Sequence, residues 1–276
     1  MSSNRKPVNT DPWDKNRGII RSSKGGWFAG KGVFNHGYNM MEELVGKASY
    51  MQVVILNATG RLPERREADW IEAMFICLSW PDPRIWCNQI GALGGTTRIS
   101  PIAATCAGLL GADSKFYGIK PIKQGMAFLQ TTLTEKQAGR SIKDIVESAP
   151  KTHGQPSIMG FARPLAKGDE RIPALERTAK NLGYEPGPHL QLAYEVSDYL
   201  FENYNESMNV NGFVSAFILD CGYTPEEAYR SAVTLVASGI TACYVDTADK
   251  LQNSFLPLRC DDINYQGQAQ RAVPGT

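Results

Sequence analysis

Three short segments of this 276-residue chain set glycines beside side chains that can grip or polarise a ligand. They are Phe116-Tyr117-Gly118, then Gly160-Phe161-Ala162-Arg163-Pro164 with Asp169-Glu170-Arg171 close behind, and Asn209-Val210-Asn211-Gly212-Phe213. Arg163 and Arg171 carry a permanent charge and a planar fork of donors suited to carboxylates and oxyanions. The Tyr117 phenol can donate a hydrogen bond, whereas the Asn211 amide takes up no proton at ordinary pH. Anion binding and hydrogen-bond donation are well represented; proton transfer is not.

Metal chemistry finds little support. His36, His153 and His189 lie far apart, and the six cysteines show no C-x-x-C spacing, so no metal site is expected. Cysteines set among apolar neighbours suit buried thiols in a reducing compartment, and the cytoplasm is the expected location. A net charge of +1 supplies no field that would steer the chain to nucleic acid or an anionic membrane. No run approaches the ~20 apolar residues of a membrane span, and the polar start Met1-Ser2-Ser3-Asn4-Arg5-Lys6 lacks the apolar stretch of a secretion signal.

The elements that must position these residues read as helices. Residues 1–35, rich in Gly, Lys, Arg and Ser, suggest an extended arm with a hairpin near Gly25-Gly26. Met41, Leu44, Val45, Ala48 and Met51 recur at helical spacing and predict one buried face ending at Gly60. Trp70, Ile71, Met74, Phe75 and Leu78 line the next helix, after Pro63. The small residues of 88–112 predict close helix packing. Gly91-Ala92-Leu93-Gly94-Gly95 is no nucleotide fingerprint, since no strand precedes it. Ser141 with Asp144, and Thr224-Pro225-Glu226-Glu227, are helix starts, and Leu190, Leu192, Ala193, Val196, Tyr199 and Leu200 mark a long amphipathic helix between them. The chain reads as mainly α-helical.

In their order, the three segments resemble the citrate synthase family, which has H-G-G, G-F-G-H with D-P-R, and N-V-D-F in their places. His36-Gly37-Tyr38 with Glu42-Glu43-Leu44 looks like that family's R-G-Y and E-L opening, and Gly60-Arg61-Leu62-Pro63 like its G-x-L-P segment. Arg259, with Tyr265 and Gly267 downstream, resembles the pattern near the family's C-terminus.

The resemblance implies a citrate synthase-like helical homodimer. Its large domain would take 1–118 and 218–276, and its small mobile domain 119–217. It also implies a reaction in which an acyl-CoA enolate is made beside a carboxylate substrate, so a coenzyme A thioester would be substrate and no cofactor tightly bound. Tyr117 then stands where an enol-stabilising histidine stands, Arg163 where a ketone-side histidine stands, and Asn211 where the carboxylate base stands. Arg171 and Arg259 match carboxylate clamps, the latter lent across the dimer, and Ser238 falls where a third clamp is lost. Gly160, Phe161 and Ala162 would border the thioester, while His36 and Arg84 match segments near the substrate. Each also has a purely structural reading. Arg163 can be a solvated helix-start charge, Tyr117 a packed core ring, and Asn211 the cap of a helix beginning at Gly212. Arg171 and Arg259 can form salt bridges, Asp82-Pro83-Arg84 a turn, and His36 a structural histidine.

Two functions follow. One is an enzyme making or cleaving a carbon–carbon bond next to a thioester carbonyl, with a reworked acid–base set in which Asp169, Glu170, Asp82 or the substrate's own carboxylate replaces the base. The other is a non-catalytic homologue that binds or regulates.

Overall fold

The computed structural model describes residues 8–115, 117–162, 168–251 and 259–275. A single helical turn, α1 (Asp11–Asp14), precedes a three-stranded antiparallel meander of β1 (Gly25–Phe28), β2 (Gly32–Asn35) and β3 (Tyr38–Asn39). Then come a π-helical turn (Met40–Leu44), α2 (Tyr50–Thr59), α3 (Arg65–Leu78), α4 (Trp86–Thr96), α5 (Pro101–Ala112), α6 (Lys120–Gln137) and α7 (Ile142–Glu147). A two-stranded ladder, β4 (Lys151–Thr152) with β5 (Gln155–Pro156), leads to α8 (Arg171–Asn181), α9 (Pro188–Tyr204), α10 (Val210–Asp220), α11 (Pro225–Ser231) and α12 (Ala237–Ala248).

Local chemistry explains most of these boundaries. Ser49 and Thr224 each close a capping box, with Gln52 and Glu227 returning the bond, and Ser141 caps α7 through the Asp144 N–H. The run from Met40 departs from its periodicity. Gly46, at φ +78, separates the π turn from α2, so Met41 and Val45 are exposed and only Leu44 and Met51 of that set are buried. Spacing alone did not register the turn between them.

The chain packs as two compact units. One holds the chain up to Ile76 together with Pro121–Val233; the other holds Cys77–Lys120 and the chain from Thr234 on. The packing edges fall at 76/77, 120/121 and 233/234, so the chain up to Ile76 groups with 121–233, and α11, which contacts α2, lies with them.

The first unit is built around Trp70 of α3. Its indole stacks on Phe217 at 3.7 Å, tilts against Phe213 at 6.4 Å, and donates to the Leu175 carbonyl at 3.3 Å. A buried indole needs such an acceptor to offset its lost hydration. Leu175 from α8, Leu192 and Leu200 from α9, and Met126 and Leu129 from α6 complete this core.

The second unit is a three-helix packing of α4, α5 and α12 in which glycine takes the contact positions. A Cβ on Gly91 would lie 2.7 Å from both the Ile240 Cγ2 and the Ile240 carbonyl oxygen, and one on Gly108 would lie 2.9 Å from the Cys87 carbonyl. The small-residue run of 88–112 therefore serves helix-to-helix approach. Gly91→Ala should destabilise the protein by about 2 kcal/mol through overpacking, seen as a lower midpoint in thermal or urea unfolding; an unchanged midpoint would contradict this packing.

Candidate functional site

Two of the three segments meet at the start of α10, inside the first unit. The backbones of Gly160 and Gly212 touch: a Cβ on Gly160 would sit 2.7 Å from Gly212 Cα, and one on Gly212 would sit 2.5 Å from the Gly160 oxygen. Gly160 adopts φ +96, which a residue with a Cβ rarely tolerates. The Asn209 N–H donates to the Gly160 carbonyl at 2.9 Å, and its side-chain amide donates to the Ala162 carbonyl at 2.5 Å. Phe161 turns inward, 2% exposed, and meets Phe128 edge-on at 6.0 Å. Of Gly160, Phe161 and Ala162, only Ala162 is exposed.

The helix starts two residues earlier than expected and is capped by Asn209, whose side chain accepts from the Asn211 and Gly212 N–H groups. Asn211 is therefore not the cap. Its amide nitrogen instead donates to the Pro121 carbonyl at 3.0 Å, tying α10 to the start of α6. The missed signal was an Asn two residues before Asn211, itself a strong N-cap type.

Asp169 completes the cluster. Its side chain is fully buried and accepts from the Val210 N–H at 2.8 Å, from Arg171 Nε at 2.7 Å and from Arg171 Nη2 at 2.7 Å. Burial alone would raise this carboxyl, but the Arg171 guanidinium and the Val210 N–H outweigh it and hold it below the ordinary carboxylate range. Asp169 is thus a poor replacement base. Arg171 spends two donors on it and is 20% exposed at its side chain. Glu170 stays exposed at the head of α8.

In the second unit, Tyr117 packs edge-on against Trp86 at 4.6 Å, and its side chain hydrogen-bonds the buried Cys87 thiol, which burial pushes up. Ser114 ties down the Tyr117 backbone on both sides, at 3.0 Å and 2.9 Å. Gly118 is forced by its neighbour, since a Cβ there would meet the Ala112 oxygen at 1.9 Å. The Trp86 and Cys87 partners of Tyr117 were not readable, because nothing in local spacing joins α4 to the loop after α5.

The remaining candidates are dispersed. Arg84 is clasped by Asp82 through Nη2 at 2.7 Å, and this pairing holds the Asp82 carboxyl down to about 2, so Asp82 is also a weak base. Ser238 is exposed in the first turn of α12, and Arg259 is exposed with its backbone N–H on Asp262 at 2.7 Å. His36 occupies the β2–β3 turn at φ +49 beside Gly60, with its Nε2 buried and unpartnered. Arg163 lies outside the described residues. Among the described residues no His, Cys, Asp and Glu gather in a set that could hold a metal ion, and no helix is long and apolar enough to cross a membrane.

The wiring of Asp169 has a measurable consequence. Because its carboxyl is lower when folded than when unfolded, it stabilises the fold above the unfolded value of about 3.9, and this contribution is lost as pH falls through the folded value. Asp169→Asn should cost about 3 kcal/mol near pH 7 in urea unfolding, with the gap to wild type narrowing from pH 4 toward pH 2. A gap independent of pH would refute the pairing.

No protein-family model matches the sequence, and no curated protein matches it. Solved structures do. The citryl-CoA lyase of Hydrogenobacter thermophilus superposes with a TM-score of 0.77 at 22% identity, covering 93% of this chain and 98% of that one. The ATP citrate lyase of Methanothrix soehngenii, solved with citrate and coenzyme A, gives 0.75 at 16% identity over 98% of this chain and 46% of that one. The citrate synthase of Thermoplasma acidophilum gives 0.62 at 16% identity over 82% and 59%. The arrangement of helices in this chain is the citrate synthase-like fold.

Proposed function

We propose that this chain is an enzyme that cleaves a carbon–carbon bond next to a coenzyme A thioester carbonyl in a carboxylate substrate. The observation that carries the reading is the end-to-end correspondence with a citryl-CoA lyase, which leaves almost none of that protein unmatched. Cleavage suits the residues better than condensation. Condensation must first remove a weakly acidic proton from a methyl group, which needs a carboxylate base. The matching position holds Asn211, whose amide is engaged with Pro121, while Asp169 and Asp82 are each locked to an arginine. In cleavage the substrate hydroxyl gives up its proton, to water or to the substrate's own carboxylate, as the carbon–carbon bond breaks. The strongly basic enolate carbon then takes a proton from water. In decarboxylation, loss of carbon dioxide leaves the enolate without any base. In both the protein's part is to stabilise the enolate oxygen. Tyr117 takes that donor role, and Arg163, Arg171 and Arg259 hold the anionic groups.

A second reading, a non-catalytic homologue that binds the same ligands, is favoured by the same locked carboxylates. Incubation with citryl-CoA, malonyl-CoA, or acetyl-CoA plus oxaloacetate, followed by thioester loss, separates the two. Turnover that falls roughly 100-fold in Tyr117→Phe supports the enzyme. Calorimetric binding of citrate or coenzyme A without turnover of any thioester supports the binding protein and sinks the enzyme.

The working unit in this reading is a homodimer. Helix α5 contains no charged residue, yet Ile102 and Leu110 are 75% and 79% exposed, with Cys106 exposed between them. A helix that is apolar all round is normally buried. Light scattering should give a dimer for the wild type and a monomer for Ile102→Glu with Leu110→Glu; a wild-type monomer at micromolar concentration would remove this support.

A further inference from the structure

The flank of α10 from Phe213 to Asp220 closes a pair of cavities whose lining includes none of Asn209, Asn211, Asp169 and Arg171. One, of about 310 Å³, lies between α8, the α8–α9 loop, α9 and α10, and is walled by the rings of Tyr184, Tyr194, Phe213 and Phe217. The other, of about 400 Å³, shares Tyr184, Phe217 and Glu185 with it and extends toward the head of α3. Both volumes suit a small organic ligand.

The charge of the walls says which kind. Glu64, Glu67, Glu176, Glu185 and Asp220 face the two cavities against Arg61, Arg66 and Lys180. Most of these acids are occupied. Glu64 holds Arg66 at 2.8 Å, Glu67 holds Arg61 at 3.0 Å and the Tyr223 hydroxyl, Glu176 takes the Tyr194 hydroxyl, and Asp220 takes the His189 and Leu190 N–H groups. Both arginines are therefore neutralised within the wall. Glu185 is exposed at the rim common to both cavities and makes no hydrogen bond or ion pair. The Tyr184 face already carries a cation, the Arg66 guanidinium at 4.8 Å from its centroid. Lys180 is exposed on α8, and its flexible stem can carry the ammonium into water.

We propose that this double cavity binds a small organic amine, with its apolar or aromatic body among the four rings and its ammonium toward Glu185. Aromatic faces attract such a cation, and the surplus of carboxylates repels an acid of the same shape. The cavities meet α10 from Phe213 to Asp220 and are lined by none of Asn209, Asn211, Asp169 and Arg171, and their test does not depend on the reaction proposed above.

The full chain is titrated by calorimetry with 2-phenylethylamine, its neutral analogue 2-phenylethanol, and its anionic analogue 3-phenylpropionate. The amine should bind at least about tenfold more tightly than the acid, with the alcohol between. Glu185→Gln should weaken the amine by about threefold to fivefold and leave the alcohol unchanged, as expected for an exposed charge pair, and Glu185→Lys should weaken the amine further. Thermal unfolding of both variants checks that they remain folded, which the exposure of Glu185 favours. The proposal is overturned if the amine gives no saturable binding up to about 10 mM. It is equally overturned if the acid binds as well as the amine, or if neither Glu185 variant changes amine affinity.

Discussion

At the head of α10, two glycine backbones lie against each other, and most of the candidate site is arranged by that contact. Gly160 and Gly212 approach more closely than any side chain would permit. The loop carrying Gly160 to Ala162 is thereby pressed onto the first turn of the helix, where unpaired N–H groups and the helix dipole favour negative charge. Asn209 and Asp169 satisfy those groups, and Asp169 then draws Arg171 in behind it. A single side chain on either glycine would separate the loop from the helix and dissolve this sequence of contacts.

That wiring has a chemical consequence. At the head of α10 the Asp169 carboxylate is committed to Arg171 and Val210, and the Asn211 amide, which takes up no proton, donates to Pro121. The same pattern recurs in the other unit, where Asp82 is bound to Arg84 and the Tyr117 ring is fixed by Trp86 and Cys87. Such groups orient and donate well, and accept protons poorly. The proposed function rests on this furnishing: groups of that kind serve an enolate oxygen better than they would remove a proton from a methyl group.

The flank of α10 from Phe213 to Phe217 is organised differently from its capped start. There rings replace polar termini, with Phe217 stacked on Trp70 and Phe213 tilted against the same indole.

How much of this was legible in the sequence depended on the range of the forces involved. Thr224-Pro225-Glu226-Glu227 and the apolar series of α9 were readable because capping and amphipathicity act within a few residues of the chain. The order of the three segments carried the fold, and in two of them Gly118 and Gly160, which match glycines of the resembled motifs, sit where a Cβ would strike backbone. The run from Met40 misled, because two helical pieces joined by a turn at Gly46 can keep a common spacing. The Asn209 cap and the Asp169–Arg171 pair lie within three residues and were open to a closer local reading. What the Asn211 amide meets and what stands beside Tyr117 were decided by tertiary structure alone. Those two outcomes turn on ångström distances between segments far apart in the chain, and residue identity at a single position carries no record of them.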